Sequence, residues 1–490
     1  MITNYIYNFA KSDGKSSAVI CDGMEYSYTS FFKSIQATQG FFSSIEKNEK
    51  KLAVVLIKNL FDAWLAVISL RSIGFTTISV SNLLQLKQLK LSGIAFVVTT
   101  EIEQDLHNFQ VDLAPDIPVV AIPGEIYRDI MSTDLSEPLN YGAFGDHIIY
   151  SSGTTGSYKK LVIPYSSEAP RLRHRNNTLI MDETTRCHCF DFGLWTAIGY
   201  NTPLLVWQQG GCVIFDRTPH RYSRFFKLRV TDTICIAPMA QALLGEFSGP
   251  IGGLGNRFQK LREIIIGGSF VNQNLAQNTA DKLTQKLTIG YGSSELGGRV
   301  LESHYQNIDD LLWLKVSEDT ILEVVNIDGQ ICKVGEEGDL RIKLTDRDCH
   351  EYLDDPEATA RFFKDGYFYP GDLAVTAEDG RVRVLGRVSD VLTVGAQKLA
   401  VAPIERDLEA ALGVQEVCVF SGLTSDGIHE LVIAIRSPTA PKPAQQALVR
   451  KRFSMFKAVR FITLPAFPLT TNGMMKTNRV ELRKSLFADT

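Results

Sequence analysis

The sequence has no excess of charge of one sign and no long apolar run. Its 490 residues include 51 Lys and Arg against 55 Asp and Glu, a formal net charge of −4. A large nucleic-acid surface needs clustered excess Lys and Arg, so this balance argues against nucleic acid as a partner. The longest apolar stretch, near Leu60–Leu70, contains Asp62 and is far shorter than the ~20 residues of a membrane span. Because Met1–Asn4 shows no basic region followed by an apolar run, we also expect no signal peptide.

Cysteines are few and irregularly spaced, which is typical of reduced thiols in a cytoplasmic protein and not of a disulfide framework. The eight are Cys21, Cys187, Cys189, Cys212, Cys235, Cys332, Cys349 and Cys418. The triplet Cys187-His188-Cys189 could begin a metal cluster. No second ligand pair follows at the spacing of a zinc finger, so we expect no metal there.

The first part of the chain alternates strand-like and helix-like segments. Leu52–Ile57 is a continuous apolar run, as in a strand covered on both faces. Asn59 can cap a helix that Gly74 ends, and Thr76–Val80 is again strand-like. This βαβ pattern predicts a parallel sheet. Further strand-like runs are Ala95–Thr99, Pro118–Ile122, Leu204–Val206, Cys212–Phe215, Thr233–Ala237 and Leu261–Ile266.

After about residue 320 the pattern changes to short strands separated by Asp-Gly or Glu-Gly turns, which predicts a β-rich subdomain. These strands are Ile321–Asn326, Gly338–Lys343, Leu373–Thr376 and Arg381–Leu385. A compact αβ tail follows Gly386-Arg387. Its predicted elements are helices at Ile404–Ala411 and Ala444–Phe453 and strands at Glu416–Phe420 and Glu430–Ile435.

The strongest chemical signal is a run of small and hydroxyl residues after the strand-like His147–Tyr150. It consists of Ser151, Ser152, Gly153, Thr154, Thr155 and Gly156, with Lys159 close behind. Exposed backbone N–H groups, hydroxyls and a lysine can together cradle a polyphosphate. The order differs from that of the common nucleotide-triphosphatase loop. A flexible Ser/Gly linker is the alternative.

Two further clusters suit a nucleotide. In Gly290–Glu295, Tyr291 offers a ring face to a base, Ser294 a hydroxyl and Glu295 a hard oxygen for Mg²⁺. The small Gly292 and Ser293 would let a ligand approach the backbone. In the third cluster, Tyr369–Asp372, a carboxylate after a tight turn can accept hydrogen bonds from two ribose hydroxyls. A capped turn and a surface turn are the respective alternatives.

In this order, the motifs resemble those of the adenylate-forming (ANL) superfamily of acyl- and aryl-CoA synthetases, peptide-synthetase adenylation domains and firefly luciferase. The resemblance covers nearly the whole chain. Further matching segments are Ala53–Leu56, Leu261–Ser269, Tyr352–Thr359, Gly386–Asp390 and Pro468–Gly473. The resemblance implies an α/β fold: a large multi-lobed N-terminal AMP-binding domain at residues 1–388 and a small mobile α+β domain at 389–490. The N-terminal domain would comprise two α/β lobes and the β-rich subdomain at about 320–388.

The family activates a carboxylate with Mg·ATP, releases pyrophosphate and passes the acyl group from the acyl-adenylate to a thiol. By match, Ser151–Gly156 and Lys159 would hold the β- and γ-phosphates, and Glu295 would ligate Mg²⁺. Tyr291 would stack on adenine within a pocket that includes Gly268, Gly292 and Ser293, and Ser294 would contact the α-phosphate. Asp372, assisted by Arg387, would bind the ribose. Lys476 would stabilise the charge that develops as the carboxylate meets the phosphate.

Several positions depart from the family pattern. Two residues, Met474-Met475, are inserted before Lys476, although the spacing from Lys476 to Arg479 is kept. Tyr158 and Lys160 replace a proline and a glycine. Ser389 stands at the hinge of the family's C-terminal domain, where an Asp or Lys is usual. Ala396, after Gly395, replaces the second glycine of the thiol tunnel, so this departure affects thiol transfer more than adenylation.

The acid is the least determined part of the reaction. Asp191 falls where amino-acid adenylation domains pair a carboxylate with the substrate amine, although it could instead bond to its own loop or cap a helix. Apolar walls would come from Phe192, Met239 and the small residues Gly267 and Ser269, so a small, aromatic or amino acid would fit.

These features predict an ATP-dependent acid–thiol ligase. The chain ends at Thr490, so we expect the acceptor to be CoA or the phosphopantetheine of a separate carrier protein. The alternatives are a stand-alone amino-acid adenylation enzyme that loads a carrier protein and a catalytically degenerate nucleotide-binding relative.

Overall fold

The protein is described from a computed structural model. The described residues are 2–45, 51–100, 117–127, 135–138, 144–152, 158–248, 259–268, 270–388, 391–394, 397–423, 429–454, 456, 458–469 and 477–487. The chain divides into two compact units. The first contains Met1–Tyr305 and Leu344–Arg361, and the second contains Gln306–Lys343 and Phe362–Thr490. The boundary at 388/389 stays a prediction.

The first unit is built from strands and helices in alternation, as the βαβ pattern predicts. Its strands are β1 (Ser17–Cys21), β2 (Met24–Ser27), β3 (Leu52–Val55), β4 (Thr76–Ser79), β5 (Ile94–Thr99), β6 (Val119–Ala121), β7 (His147–Ser152), β8 (Tyr158–Ile163), β9 (Arg186–His188), β10 (Cys212–Phe215), β11 (Asp232–Cys235), β12 (Leu261–Gly267), β13 (Thr284–Gly292) and β14 (Arg299–His304). Its helices are Ile2–Ser12, Tyr28–Ser43, Leu60–Ser72, Leu83–Leu89, the 3₁₀ turn Gly124–Tyr127, Tyr165–Thr178, Ala197–Gln208, Arg221–Phe225, Ala237–Ser248, Gln273–Lys282 and Pro356–Phe362.

The first predicted βαβ unit is confirmed. Strand β3 pairs in parallel with β4, and the connecting helix Leu60–Ser72 begins where the sequence predicts. Asn59 caps it, because its side-chain oxygen accepts a hydrogen bond of 3.1 Å from the Asp62 N–H. Gly74 follows the helix with φ of +95°, a conformation that glycine adopts without strain.

Two mostly parallel sheets form the centre of this unit. One has the order β6–β5–β3–β4–β7–β8, in which only β8 runs antiparallel to its neighbour. The other joins eight strands of the unit in the order β14–β13–β12–β11–β9–β10–β1–β2, with antiparallel pairs only at its two ends. In parallel sheets the strand ends form a common edge, so the segments after β9, β11, β12 and β13 lie along one edge.

One predicted strand is wrong. Leu204–Val206 lies inside the helix Ala197–Gln208, which Thr196 caps by accepting a 3.0 Å hydrogen bond from the Gly199 N–H. This helix is buried from Gly199 to Trp207, so it has apolar residues on every side and no helical period in its sequence. A short apolar run of this kind does not distinguish a buried helix from a buried strand.

The second unit begins with the β-rich segment, whose four predicted strands are confirmed. Its strands are β15 (Lys315–Val316), β16 (Leu322–Val325), β17 (Glu337–Lys343), β18 (Phe363–Lys364), β19 (Tyr367–Phe368), β20 (Asp372–Thr376), β21 (Val382–Arg387), β22 (Val391–Val394), β23 (Gln397–Ala400), β24 (Glu416–Leu423), β25 (His429–Arg436) and β26 (Ala458–Leu464). Its helices are Asp309–Leu312, Val401–Leu412, Pro443–Arg452 and Arg479–Leu486. Strands β16–β21 form an antiparallel sheet, and β22 and β23 form a hairpin.

The tail of this unit is a three-stranded sheet, β24–β25–β26, with a core on each face. Alternate residues of β25 enter opposite cores: Ile433 packs with Leu408 and Val449, whereas Val432 packs with Leu482. Because neighbouring side chains of a strand point to opposite faces and both faces are buried, the sequences of β24 and β25 are nearly continuous apolar runs. Across the described residues of both units, no helix is long and apolar enough to cross a membrane.

Candidate active site

Most of the predicted adenine and acid-pocket residues of the first unit follow strands at one edge of its larger sheet. Gly268 follows β12, and Gly292 ends β13 just before Ser293, Ser294 and Glu295. Asp191 and Phe192 follow β9, and Met239 follows β11. Residues that are far apart in the sequence are therefore carried by neighbouring parallel strands, in the position where open α/β sheets commonly bind ligands.

Close backbone packing and a left-handed backbone favour glycine at several positions of this edge. Gly267 and Gly290 are paired across β12 and β13, and a Cβ at Gly267 would lie 3.2 Å from the Gly290 carbonyl oxygen. A Cβ at Gly292 would lie 2.7 Å from the Gly298 carbonyl oxygen, which is too close. Gly268 has φ of +70°. The small residues of these motifs thus allow close packing of the strands, in addition to any role in binding a ligand.

The predicted phosphate loop connects two paired strands. β7 and β8 are antiparallel, and Ser151 lies opposite Lys159 in the register. Ser152 ends β7. The ring of Tyr158, which replaces a proline of the family, meets Tyr150 edge-on with centroids 5.3 Å apart. Gly153, Thr154, Thr155 and Gly156 lie outside the described residues, so their phosphate-binding role stays a prediction.

Tyr352 connects Lys159 with Glu295. Its hydroxyl donates a 2.6 Å hydrogen bond to Glu295 Oε1, and the Lys159 Nζ lies 4.8 Å from the centroid of its ring. The Cys349 N–H also donates to the Glu295 carbonyl oxygen, at 2.8 Å. The predicted phosphate lysine and the predicted magnesium carboxylate are thus held on one side chain. The sequence indicated Tyr352 only as the start of a matching segment and gave it no role.

Lys160, the second departure in this loop, has a structural function. Its side chain is buried, and Nζ donates to Asp354 Oδ2 at 3.1 Å and to the Leu89 carbonyl oxygen at 3.4 Å. The Leu353 N–H donates back to the Lys160 carbonyl oxygen at 2.9 Å. This lysine therefore attaches β8 to the segment that presents Tyr352 and leaves the neighbouring Lys159 as the candidate phosphate ligand.

The donor groups around Glu295 fit a magnesium ion. Glu295 is 8% exposed, and a hard carboxylate oxygen is a preferred ligand of Mg²⁺. Ser293 Oγ is buried and has no hydrogen-bond partner among the described residues. A buried hydroxyl without a partner is unfavourable unless a ligand satisfies it, so these residues suit a bound Mg·nucleotide.

The candidate acid pocket is attached to the phosphate hairpin by backbone contacts. The Tyr150 N–H donates to the Trp195 carbonyl oxygen at 3.0 Å, and His147 Nε2 lies 3.0 Å from the Leu194 carbonyl oxygen. The other ring nitrogen of His147 is 2.8 Å from Thr77 Oγ1. Burial lowers the pKa of His147 to about 3, so its ring is neutral at physiological pH.

Apolar side chains of this pocket are buried. Phe192 and Met239 are almost fully enclosed, and Phe190 adopts a left-handed backbone with φ of +49°. The ring of His188 lies against Phe190 at 4.4 Å, and burial lowers the pKa of His188 to about 3. Cys187, His188 and Cys189 are thus core residues, and no group of metal-ligating side chains occurs in the described parts of the chain. Ser269 lies outside those parts.

Asp191 faces a cation. Its Oδ2 lies 3.9 Å from Arg221 Nη2, and its Oδ1 is buried without a hydrogen-bond partner among the described residues. Thr196, and not Asp191, caps the following helix, so the capping interpretation of Asp191 is wrong. Arg221 carries no sequence signal for this role, because nothing in the spacing links it to position 191. The positive charge of Arg221 compensates the negative charge of Asp191. Asp191 therefore depends less on a substrate amine for charge compensation.

Asp372 and Arg387 form an ion pair within the second unit. They are opposite each other on β20 and β21, and Arg387 Nε lies 3.1 Å from Asp372 Oδ1. Arg387 also donates to the Pro370 carbonyl oxygen. Gly371 has φ of +78°, so the turn before Asp372 needs a residue that tolerates a left-handed backbone. Asp372 is 6% exposed and Arg387 orients it, an arrangement that suits a carboxylate meant to accept hydrogen bonds.

Comparison with known sequences gives the family. The profile described as AMP-binding enzyme matches residues 8–345. This chain belongs to the AMP-binding enzyme family.

Individual relatives of this AMP-binding enzyme are distant. A plipastatin synthase protein of Bacillus subtilis (strain 168) is 25% identical over 400 residues, which are 76% of this chain but only 11% of that protein. The mitochondrial acyl-coenzyme A synthetase ACSM5 of Mus musculus is 24% identical over 84% of this chain and 74% of its own. O-succinylbenzoate coenzyme A synthetase of Bacillus subtilis, solved with ATP and a magnesium ion, has a TM-score of 0.77 at 18% identity and covers 98% of this chain and 99% of its own. The last comparison confirms the predicted fold class.

Four further predicted positions of this AMP-binding enzyme also lie outside the described residues: Ser389, Gly395, Ala396 and Lys476. Their roles stay predictions. The residues that flank the Lys476 segment are anchored: Leu469 and Thr477 form an antiparallel bridge, and Thr477 Oγ1 donates to Glu416. Arg479, the arginine at the retained spacing, pairs with Glu405 at 2.6 Å.

Proposed function

We propose that this AMP-binding enzyme is an AMP-forming acid–thiol ligase. It activates a small, aromatic or amino acid with Mg·ATP and transfers the acyl group to CoA or to the phosphopantetheine of a carrier protein. The observation that carries the proposal is the contact of Tyr352 with both Lys159 and Glu295. It gives a phosphate-binding cation and a magnesium-binding carboxylate a common support at the ligand-binding edge of the sheet.

In the first half-reaction, the substrate carboxylate attacks the α-phosphorus of ATP, and the bond to pyrophosphate breaks. Both reactants are anions, so the site must compensate negative charge. Magnesium, when bound, neutralises phosphate charge. Lys159 holds the β- and γ-phosphates beside the hairpin, the Ser294 hydroxyl contacts the α-phosphate, and Lys476 stabilises the charge shared by carboxylate and phosphate.

The nucleoside contacts follow the match to the family motifs. Tyr291 stacks on adenine beside the glycines of β12 and β13, and the Asp372 carboxylate accepts hydrogen bonds from the ribose hydroxyls. Arg387 keeps that carboxylate oriented through the 3.1 Å contact. In the second half-reaction, the thiol attacks the acyl carbonyl, a thioester forms and AMP leaves. The hinge at Ser389 and the tunnel at Gly395 and Ala396 serve this step.

An amino acid is a second candidate substrate. The observation that favours it is Asp191 Oδ1, which is buried and lacks a hydrogen-bond partner among the described residues. A substrate ammonium group could donate to this oxygen. Arg221, on the other side of the same carboxylate, argues for a neutral substrate group there. An amino acid would be accepted only if its amine competes with Arg221.

ATP–pyrophosphate exchange with a panel of carboxylic and amino acids tests the proposal. Exchange that depends on one class of acid and is lost in Glu295→Gln would support it. Thioester formation is then measured with CoA and with a phosphopantetheinylated carrier protein. ATP binding without exchange for any acid would contradict the proposal and indicate a degenerate nucleotide-binding relative.

A further inference from the structure

Arg171 is a fully buried guanidinium group with very few partners. It lies on the helix Tyr165–Thr178 and has 0% exposed surface. Its Nη2 lies 3.2 Å from the Cys349 sulfur, a neutral thiol whose pKa is raised by burial. Its Nε and Nη1 have no hydrogen-bond partner among the described residues. At least three of the five N–H donors of the guanidinium group therefore lack an acceptor.

Carboxylates near the Cys349 thiol do not pair with Arg171: Glu295 accepts from the Tyr352 hydroxyl, and Asp348 accepts from the Gly297 N–H at 2.8 Å. Among the described residues, no carboxylate lies within ion-pair distance of Arg171. The acid one turn earlier on the same helix, Glu168, pairs with Arg71 at 2.5 Å and accepts the Tyr200 hydroxyl. Arg175, one turn later, adds positive charge, and burial together with repulsion from Arg171 and Arg299 lowers the pKa of Arg175 to about 9.

A buried guanidinium group without a partner destabilises the folded protein when no ligand is bound. A buried charge without a partner is strongly unfavourable, and proteins normally avoid it or pair it. Because an arginine does not lose its proton to escape this cost, a ligand of negative charge is the remaining way to compensate it. A buried cation without a partner is therefore a candidate binding site for an anion.

Arg171 lies close to the segment that carries the candidate magnesium ligand Glu295. Its aliphatic stem packs on Gly297, where a Cβ would lie 3.0 Å from Arg171 Cγ, two residues after Glu295. Its charge also acts on the Tyr200 hydroxyl, one turn into the helix that Thr196 begins after the acid-pocket segment. Arg171 thus lies beside the segment after β13, and its charge reaches the helix that follows the acid-pocket segment.

We propose that Arg171 binds a second carboxylate on the acid substrate, so that this enzyme prefers dicarboxylic acids. The inference rests on the proposed function, in which the first carboxylate is the one that attacks ATP. The phosphates of ATP are a less suitable occupant, because the hairpin of β7 and β8 carries Lys159 for them. Arg171 is a specificity residue here and takes no part in bond making.

The experiment compares matched pairs of acids that differ only by a second carboxylate, such as benzoate with the phthalates and hexanoate with adipate. In ATP–pyrophosphate exchange, we expect kcat/KM of the preferred diacid to exceed that of its monoacid by roughly tenfold to a hundredfold. In Arg171→Met this ratio falls to about one, through a higher KM for the diacid at similar kcat. Arg171→Lys keeps the charge but loses the planar fork, so it should retain an intermediate preference. Arg173→Met, an exposed arginine of the same helix, is the matched control and leaves the ratio unchanged.

Stability gives an independent readout. Replacing a buried, unpaired charge with an apolar side chain of similar length should leave the melting temperature of the ligand-free protein unchanged or raise it. A clear loss of stability in Arg171→Met would show that the guanidinium has structural partners, and would contradict the inference. If Arg171→Met does not fold, the same conclusion follows.

Calorimetric titration of diacids into the ATP-free protein separates this inference from the proposed function. If no acid supports exchange, the proposed function fails, whereas diacid binding that is lost in Arg171→Met still supports an anion site at this residue. If monoacids and diacids are activated equally, or if Arg171→Met keeps the diacid preference, the inference fails and the ligase proposal stands. Binding of inorganic phosphate alone that depends on Arg171, without binding of diacids, would overturn the assignment to the substrate.

Discussion

Replacement of Tyr352 by Phe removes one hydroxyl group and tests whether Tyr352 positions the candidate magnesium ligand. The change deletes the 2.6 Å hydrogen bond to Glu295 Oε1 and leaves that oxygen buried without its donor. The ring below Lys159 remains, so the contact of 4.8 Å between Nζ and the ring is retained. A hydrogen bond to a charged group contributes about 1.5–3 kcal/mol. Loss of a group that orients a metal ligand typically lowers metal affinity or activity by about 10–100-fold.

We therefore expect the Mg²⁺ concentration for half-maximal pyrophosphate exchange to rise roughly tenfold or more in Tyr352→Phe, at saturating acid. Tyr352→Leu also removes the ring, so the KM for ATP should rise further, by the ~0.5–2 kcal/mol of a cation–π contact. Magnesium titrations of exchange, together with ATP titrations at saturating magnesium, measure the two effects separately.

Tyr28→Phe provides the matched control. The Tyr28 hydroxyl is equally buried and donates a 2.7 Å hydrogen bond to the Gly211 carbonyl oxygen, at the opposite edge of the sheet, where β10 begins. Its removal should lower stability without changing the magnesium dependence. A folded Tyr352→Phe protein with an unchanged magnesium and ATP dependence would refute the role assigned to Tyr352.

Three other predictions concern the second unit and the thiols. Lys476→Ala should reduce acyl-adenylate formation far more than thioester formation from a supplied adenylate; equal, mild losses in both would contradict its role. Burial raises the pKa of Glu409 to about 8, so the folded state holds a proton that the unfolded state releases at lower pH. The free energy of unfolding should then fall by up to ~1.4 kcal/mol per pH unit as pH rises from about 4.5 to 8. In urea unfolding at several pH values, the free energy of unfolding should fall less steeply with pH in Glu409→Gln. The exposed control Glu378→Gln should show the same fall as the unsubstituted protein. Finally, a thiol reagent should label Cys332 first in the native protein, because the other seven cysteines are buried; rapid labelling of several thiols would contradict this.

Sequence periodicity predicted most of the strands because each strand is buried on one face or on both, and either case leaves a regular pattern of apolar residues. The parallel strand β3 is buried on both faces, so its apolar run is unbroken, and its flanking Asn59 and Gly74 mark the connecting helix. The same logic failed at Leu204–Val206, since a fully buried helix is apolar on every side and its 3.6-residue period disappears. Long-range burial, which the sequence does not show locally, decides such cases.

Residue chemistry predicted Lys159 and Glu295 as candidates, but their connection through Tyr352 depends on contacts across more than fifty residues of sequence. At Asp191 the sequence suggested a role but did not indicate the partner that the structure shows. The position of Asp191 suggested a partner for a substrate amine, yet Arg221 reaches it from a five-residue helix that no motif marks. Arg171 likewise resembles any polar residue of an amphipathic helix until its burial is known.

The hydrogen bonds that attach the phosphate hairpin to the acid-pocket segment are accepted by the main-chain carbonyl groups of Leu194 and Trp195. Any amino acid supplies such a carbonyl, so side chains in this segment can change without loosening the hairpin. Selection, or a protein engineer, could therefore alter the acid that is recognised by substitution here while the ATP-binding framework is preserved. Insertions or deletions between residues 190 and 196 would have the opposite effect, because they would displace those carbonyls from His147 and Tyr150.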